Sequence, residues 1–215
     1  MSSQTIQISE SQRASLVARG RRLEYLTIVW NSLEGIISIG AGLVAGSIAL
    51  VGFGFDSLIE VSSGAALLWR LHMDAPEKRE RAEKIALKLV GVSFLLLAAY
   101  VTFDSVKSLL KREPPEASYV GIAIATLSLI VMPLLARAKR RVAAGISSRA
   151  LHADSRQTDI CTYLSAILLG GLGLNALFGW WWADPVAALV MVPIIIKEGI
   201  EGLRGETCCD EGTCH

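Results

Sequence analysis

Two acidic side chains, Asp56 and Glu60, lie within a long apolar stretch that begins at Ile48 and otherwise has the composition of a membrane-spanning helix. An acidic side chain near the centre of a bilayer costs about 2.5–3.5 kcal/mol even on the more lenient insertion scale, so it normally faces other helices, a water-filled cavity or a bound cation. Residues four apart project from the same helical face, and oxygen ligands on one face suit a divalent cation. The pair therefore predicts a cation site inside a membrane.

A second set of polar side chains lies near the start of the fifth apolar segment. Four of them share one helical face through the i, i+3, i+4, i+7 spacing: Asp154, Gln157, Thr158 and Cys161. The first two and the thiol are candidate ligands, and the hydroxyl is an accessory candidate. Asp159 points away from this face on an ideal helix, so we expect it to make a separate polar contact. Two structural alternatives to a ligand role stay open: Asp154 lies at the membrane interface, and Cys161 is a small packing residue.

The first apolar segment contributes Glu34, with Asn31 one turn before it. At a rise of about 1.5 Å per residue, Glu34 lies ~18 Å from the start of its segment. In the next segment, which runs the opposite way, Asp56 and Glu60 lie ~13 Å and ~20 Å from the start. The three acids can therefore share one level of the membrane. Glu34 and Asn31 are accessory candidates, with an interhelical hydrogen bond as the alternative.

The end of the chain is a third group of possible ligands: Cys208, Cys209, Cys214 and His215. Thiolates and an imidazole suit a soft or borderline ion such as Zn²⁺ or Cu(I). Their spacing matches no standard zinc finger. Two alternatives stay open for this tail. It captures metal, or it is a disordered end without a role.

The composition is that of a polytopic membrane protein. Of 215 residues, 52% are hydrophobic and 19% are charged, and the mean hydropathy is +0.47. The net charge of +1 gives no basic field for nucleic acid. Apolar runs that can cross a ~30 Å hydrocarbon core predict an all-α fold with six transmembrane helices: Tyr25–Ala45, Ile48–Leu71, Ile85–Leu110, Tyr119–Ala138, Ala150–Leu174 and Trp182–Leu203.

Basic residues cluster before the first span, between the second and third, and between the fourth and fifth. By the positive-inside rule these segments are cytoplasmic, which places both termini in the cytoplasm. The predicted domains are a polar N-terminal segment at 1–20, a six-helix transmembrane transport domain at 21–204, and a cytoplasmic tail at 205–215. The first segment lacks an apolar core and a cleavage site, so we do not expect a cleaved signal.

Two motifs resemble the cation diffusion facilitator family. The stretch Gly46-Ser-Ile-Ala-Leu-Val-Gly-Phe-Gly-Phe-Asp-Ser-Leu-Ile-Glu60 is similar to the family's second helix, in which two ligands lie four residues apart. Ala183-Asp-Pro-Val-Ala-Ala-Leu189 is similar to the entry to its sixth helix. With the six-helix layout, the resemblance covers about residues 20 to 204.

The resemblance implies exchange of Zn²⁺ or a related divalent ion for protons, at a tetrahedral site made by helices two and five. Asp56 and Glu60 occupy the positions of the helix-two pair. At the offsets where many members have His and Asp in helix five, this chain has Gln157 and Cys161. No cytoplasmic C-terminal domain is recognised, which places the chain in a divergent branch and implies a homodimer formed through membrane helices.

These observations predict a secondary transporter, a cation:proton antiporter that exports a divalent cation from the cytoplasm. Zn²⁺ is the favoured ion, because the thiols of Cys161 and the tail are soft donors that favour thiophilic metals, whereas carboxylates and amides alone would favour Mn²⁺. We expect no prosthetic group and no enzyme activity, and we expect the bacterial inner membrane as the location. The alternative is a non-transporting membrane metal sensor or assembly protein whose acids are structural.

Overall fold

The computed structural model describes residues 10–71, 76–112, 115–146 and 148–204, and all of its regular structure is α-helical. Six helices follow one another along the chain: α1 (Glu10–Ala45), α2 (Ile48–Leu71), α3 (Pro76–Lys111), α4 (Tyr119–Ile146), α5 (Arg149–Phe178) and α6 (Ala183–Arg204). The predicted all-α, six-helix class is confirmed. The Cys/His tail lies outside the described residues.

The helices pack mainly as three pairs, α1 with α2, α3 with α6 and α4 with α5. Further contacts of α1 with α4 and of α2 with α5 join these pairs, so that α1, α2 and α5, which carry the candidate ligands, lie in one bundle with α4. The α1–α2 connection is short because Gly46 adopts a left-handed φ of 66°, which ends α1 and lets the Ser47 amide bond the Gly42 carbonyl at 2.9 Å. Polar groups on α1 and α2 are thereby held in a fixed antiparallel register.

The same end of the bundle is tied to α6 by a buried carboxylate. Asp184, at the start of α6, accepts hydrogen bonds from the Ile48 amide at 2.9 Å and the Ser47 hydroxyl at 2.5 Å. The first amides of a helix have no partner within the helix, so Asp184 acts as an N-cap of α2 supplied from another helix. This contact explains a structural role for the Ala-Asp-Pro motif.

Five helices of the described chain contain a segment long and apolar enough to cross a membrane; α6 is not among them. Every 18-residue window of α6 includes at least three charged residues, because Asp184 lies at one end and Lys197, Glu198 and Glu201 near the other. Large apolar side chains are exposed around the bundle, such as Leu33 and Ile36 on α1 and Phe103 on α3. This surface is what lipid contact requires.

The bounds of α2 agree with the predicted span, whereas α1 and α3 begin much earlier than predicted, at Glu10 and Pro76. Runs of apolar residues indicate only the part of a helix that lies within a bilayer. Both α1 and α3 also include polar sequence before their apolar part. The side of the membrane on which each end lies stays a prediction.

Candidate functional site

The Glu34 carboxylate lies where α1, α2 and α5 meet, and it is wholly buried. The Trp30 indole N–H donates to its Oε2 at 2.5 Å, and the Ser57 hydroxyl donates to its Oε1 at 3.0 Å. The Cys161 thiol lies 3.9 Å from the same Oε1. The structure therefore places two of the predicted residues, Glu34 on α1 and Cys161 on α5, in direct contact.

This meeting point depends on close packing of α1 against α2 at Gly54. A Cβ added there would lie 2.7 Å from Ile39 Cγ1 and 2.9 Å from the Ile39 amide nitrogen. Such distances leave no room for a side chain, so the two backbones approach closely only because the position is glycine. One turn later, this approach brings Ser57 within reach of Glu34.

The α2 pair is buried, and its two members have different surroundings. Glu60 accepts a hydrogen bond from the Thr158 hydroxyl at 2.9 Å, with the bond ending on Oε1. Within the described part of the chain, Asp56 makes no hydrogen bond and no ion pair, although it is only 6% exposed. Its neighbours are other carboxylates, Glu60, Glu34 and Glu198 of α6. An uncompensated group of this kind attracts a cation.

Two polar groups beside these acids, each able to donate and to accept a hydrogen bond, also lack hydrogen-bond partners within the described residues. The Asn31 amide faces Glu60 and the Ser128 hydroxyl of α4 faces Glu34. Neither makes a hydrogen bond of normal geometry within the described residues, although both are fully buried. Oxygen atoms left free in this way are suitable ligands for a cation.

In residues 10–71, 76–112, 115–146 and 148–204, no three His, Cys, Asp or Glu side chains converge closely enough to hold a metal ion as they stand. The acids share one region of the bundle interior, but they are spread along it. Binding of a cation would therefore have to draw side chains together through changes of rotamer.

Asp154 lies in a different setting, beside a cation supplied by the protein. The Lys139 ammonium of α4 is wholly buried, donates to Asp154 Oδ2 in a short contact, and donates to Glu24 Oε2 of α1 at 3.3 Å. It also donates to Thr158 Oγ1 at 3.4 Å. The predicted ligand Asp154 is thus ion-paired, and its role as a metal ligand stays a prediction.

The remaining α5 candidates lie at the edge of this region. Asp159 pairs with Arg140 of α4 in a partly exposed contact. Gln157 is partly buried and makes no hydrogen bond within the part of the chain that the structure describes. Within the described residues, neither makes a hydrogen bond or an ion pair with Asp56 or Glu60.

Glu24 and Lys139 are buried polar residues that the sequence analysis missed. A signal for Glu24 is present: polar residues recur along α1 at intervals of three or four, and all are buried, namely Glu24, Thr27, Asn31, Glu34 and Ser38. Such a stripe marks a helix face turned to the bundle interior. Lys139 lies in a basic run with Arg137, Arg140 and Arg141. Such a run is typical of the cytoplasmic end of a span, so its pattern does not indicate a buried lysine.

Comparison with known proteins places this arrangement in a family. Residues 25–205 match the model of the cation efflux transmembrane domain. The chain belongs to the cation efflux family. The expected resemblance is confirmed, and with the apolar helices it identifies an integral membrane protein.

Relatives come from distant organisms. An uncharacterized transporter of Synechocystis sp. is 26% identical over 177 residues, which is 78% of this chain and 56% of the relative. Transmembrane protein 163 of Xenopus laevis is 26% identical over 180 residues, or 83% of this chain and 64% of the relative. The cadmium, cobalt and zinc/H(+)-K(+) antiporter of Bacillus velezensis is 27% identical over 126 residues, or 56% and 38%. The chain thus spans between 38% and 64% of the length of these relatives.

Proposed function

We propose that this protein transports a divalent metal cation across the membrane through a site formed by Asp56, Glu60 and Glu34. The observation that carries the proposal is the contrast between these three buried carboxylates and the other buried acids. Within the described residues, Glu24 and Asp154 both contact the Lys139 ammonium, and Asp184 caps the start of α2. Asp56, Glu60 and Glu34 form no ion pair and cap no helix. Carboxylates left without a cation inside an apolar bundle favour one from solution.

The site offers mixed ligands. Carboxylate oxygens come from α1 and α2, the Asn31 amide is free, and the Cys161 thiol contacts Glu34. A thiol among oxygen ligands favours Zn²⁺ or Cd²⁺ over Mn²⁺. The name of the Bacillus velezensis antiporter, which includes cadmium, cobalt and zinc, supports this choice. We propose Zn²⁺ as the principal substrate.

Proton coupling follows from the same groups. Carboxylates crowded together in an apolar interior repel one another when all are ionised, so protons hold the site when no cation is bound, and cation and protons displace each other. Rocking of helix groups around the site would expose it alternately to each side. The direction we propose is export from a cytoplasm that contains both termini, in exchange for protons.

We also propose a bacterial inner membrane location and a homodimer that buries some of the exposed apolar helix surface. The Synechocystis and Bacillus relatives support a bacterial membrane. The polar segment at 1–20, the transport domain at 21–204 and the tail at 205–215 remain the proposed division of the chain. Metal capture by the tail stays a prediction.

Transport is tested with purified protein in liposomes that contain a zinc-sensitive dye, with a pH gradient across the membrane. We expect gradient-driven zinc entry with wild type and its loss with Asp56→Ala, whereas Asp104→Asn should transport as wild type does. Asp104 is the matched control because it is a partly exposed acid near Lys107 on α3. Equal flux in Asp56→Ala and wild type, or no flux of Zn²⁺, Cd²⁺ or Mn²⁺ in folded wild type, would refute the proposal and favour a non-transporting role.

A further inference from the structure

The Lys139 ammonium is the centre of the buried polar network between α1, α4 and α5. A lysine ammonium has three N–H donors and no acceptor. All three find acceptors here, in Glu24 Oε2, Asp154 Oδ2 and Thr158 Oγ1. Because Lys139 is wholly buried, these contacts fix the ammonium in one place.

The contact with Thr158 determines which way its hydroxyl can donate. A hydroxyl has one hydrogen and two lone pairs. Lys139 can only donate, so it uses a lone pair of Thr158 Oγ1 and leaves the single hydrogen free for another acceptor. Two acceptors lie within reach, Glu60 Oε1 at 2.9 Å and the Asp154 carbonyl one turn earlier at 3.2 Å. The charged and nearer acceptor is the stronger partner.

The bond from Thr158 holds one oxygen of Glu60. The other oxygen makes no hydrogen bond within the described residues. Hydrogen bonds to carboxylates that bind a metal orient those ligands, and removing such an outer contact typically lowers metal affinity ten- to a hundredfold. The network thus has the form of an outer support for a ligand on α2.

We propose that Lys139 and Thr158 are positioning residues of the cation site: Lys139 fixes the Thr158 hydroxyl, and that hydroxyl holds Glu60 Oε1 so that Oε2 is presented to the cation. The inference rests on the proposed transport function. It assigns the ammonium a role in transport beyond its ion pairs with Glu24 and Asp154, and it makes neither Lys139 nor Thr158 a ligand of the cation.

The test is the zinc concentration dependence of transport in liposomes for wild type, Thr158→Val, Thr158→Ser and Thr162→Val. Loss of the Thr158 hydroxyl should raise the KM for zinc about ten- to a hundredfold while changing the maximal rate much less. Thr158→Ser keeps the hydroxyl and should restore the KM. Thr162 is the matched control, one turn later on α5, because its hydroxyl donates only to the Thr158 carbonyl, at 3.3 Å.

The part played by Lys139 is tested by a double-mutant cycle of Lys139→Gln and Thr158→Val. All four proteins of the cycle also carry Glu24→Gln. This background substitution removes one of the two carboxylates that Lys139→Gln would leave unpaired. If Lys139 acts through Thr158, Lys139→Gln raises the KM only while the threonine is present. A purely structural ion pair would change the folded yield and leave the KM effects independent.

The outcomes separate this inference from the proposed function. Wild type that neither transports nor binds zinc in equilibrium dialysis would overturn both. Wild-type transport that requires Asp56, together with a KM in Thr158→Val within about twofold of wild type, would overturn the inference alone. Thr158→Ser as impaired as Thr158→Val would overturn it as well, because the size of the side chain rather than its hydroxyl would then be decisive.

Discussion

At the scale of single residues, two kinds of acid lie near the proposed site in the bundle interior. Glu24 and Asp154 share the buried ammonium of Lys139, so both carboxylates have a cation supplied by the protein. Asp56 has no such partner within the described chain, and its neighbours are carboxylates. The first kind holds helices together at one level, and the second leaves a deficit of positive charge that a transported cation can fill.

The Lys139 network predicts a large loss of stability when only the cation is removed. Lys139→Met leaves two buried carboxylates without a partner, and breaking a buried ion pair in this way costs about 3–5 kcal/mol. We expect this decrease in the free energy of unfolding, measured by denaturant titration in detergent. Lys107→Met is the control, because the Lys107 side chain is 45% exposed and its ammonium lies 3.9 Å from Asp104; this substitution should cost less than about 1 kcal/mol. Equal losses in the two variants would contradict the buried-network account.

The Cys161 thiol predicts an effect on ion selectivity. Replacing sulfur with oxygen in Cys161→Ser keeps the side chain small and removes the soft sulfur donor beside Glu34. Transport of Cd²⁺ should fall about tenfold or more relative to Mn²⁺, comparable to the loss of other contacts at metal sites. The measurement is the ratio of the two initial rates in the same liposomes. An unchanged ratio would exclude Cys161 from the site and leave it as a packing residue.

Asp56 and Glu60 were predictable from sequence, because a charged side chain in a membrane span is costly and therefore indicates a functional site. Their partners were harder to predict. Thr158 was found through helical spacing, but its hydrogen bond to Glu60 depends on how α2 and α5 pack. The burial of Lys139 depends on the continuation of α4 through a basic run to Ile146, which no local pattern indicated.

At the scale of elements, the site depends on how closely α1 and α2 approach. Gly54 lies opposite Gly35 and Ile39, with a Cβ position only 3.0 Å from the Gly35 carbonyl oxygen. This approach sets the separation of Glu34 on α1 from Ser57 on α2. The two helices therefore contribute to the site as one closely packed pair.

Gly54→Ala should weaken transport although it alters no charged group. The added methyl would force α1 and α2 apart, lengthen the Ser57–Glu34 hydrogen bond, and lower stability by about 1–3 kcal/mol through overpacking. Zinc flux and thermal stability in detergent are the measurements. Gly40→Ala is the matched control on α1, because nothing lies within 4 Å of its Cβ position. Wild-type flux in Gly54→Ala would show that the site tolerates separation of the helices.

Helix positions were predicted well where an apolar run ends in a turn residue and poorly where it does not. The predicted bounds of α2 were correct because Gly46 and Ser47 separate it sharply from α1. The starts of α1 and α3 were placed too late, because their N-terminal parts are helical but polar and do not belong to an apolar run. Hydropathy detects what a bilayer requires of a helix, and it gives no information about where the helix itself begins.

At the scale of the whole molecule, the positive-inside prediction places both ends of the chain in the cytoplasm. It follows that the end of the bundle with Gly46 and Asp184 faces outward and that the Lys139 network lies on the cytoplasmic side of Glu34. The orientation thereby decides which side of the site is closed by the Glu24–Lys139–Asp154 contacts.

Reporter fusions test this orientation. A phosphatase that is active only outside the cytoplasm should be active when fused after Gly46 and inactive when fused after His215. A fluorescent protein that folds only in the cytoplasm should give the opposite result at both positions. Phosphatase activity after His215 would reverse the topology and with it the direction of transport that we propose.

The central claim, that buried carboxylates without a protein cation bind the transported ion, is tested most directly by zinc stoichiometry. Equilibrium dialysis of the protein in lipid nanodiscs measures zinc bound per chain, with truncation after Arg204 removing the Cys/His tail as a second source of binding. The account predicts a saturable zinc ion in wild type that is lost in Asp56→Asn and retained in Asp104→Asn. Saturable zinc that persists unchanged in Asp56→Asn, or its absence from folded wild type, would contradict the account.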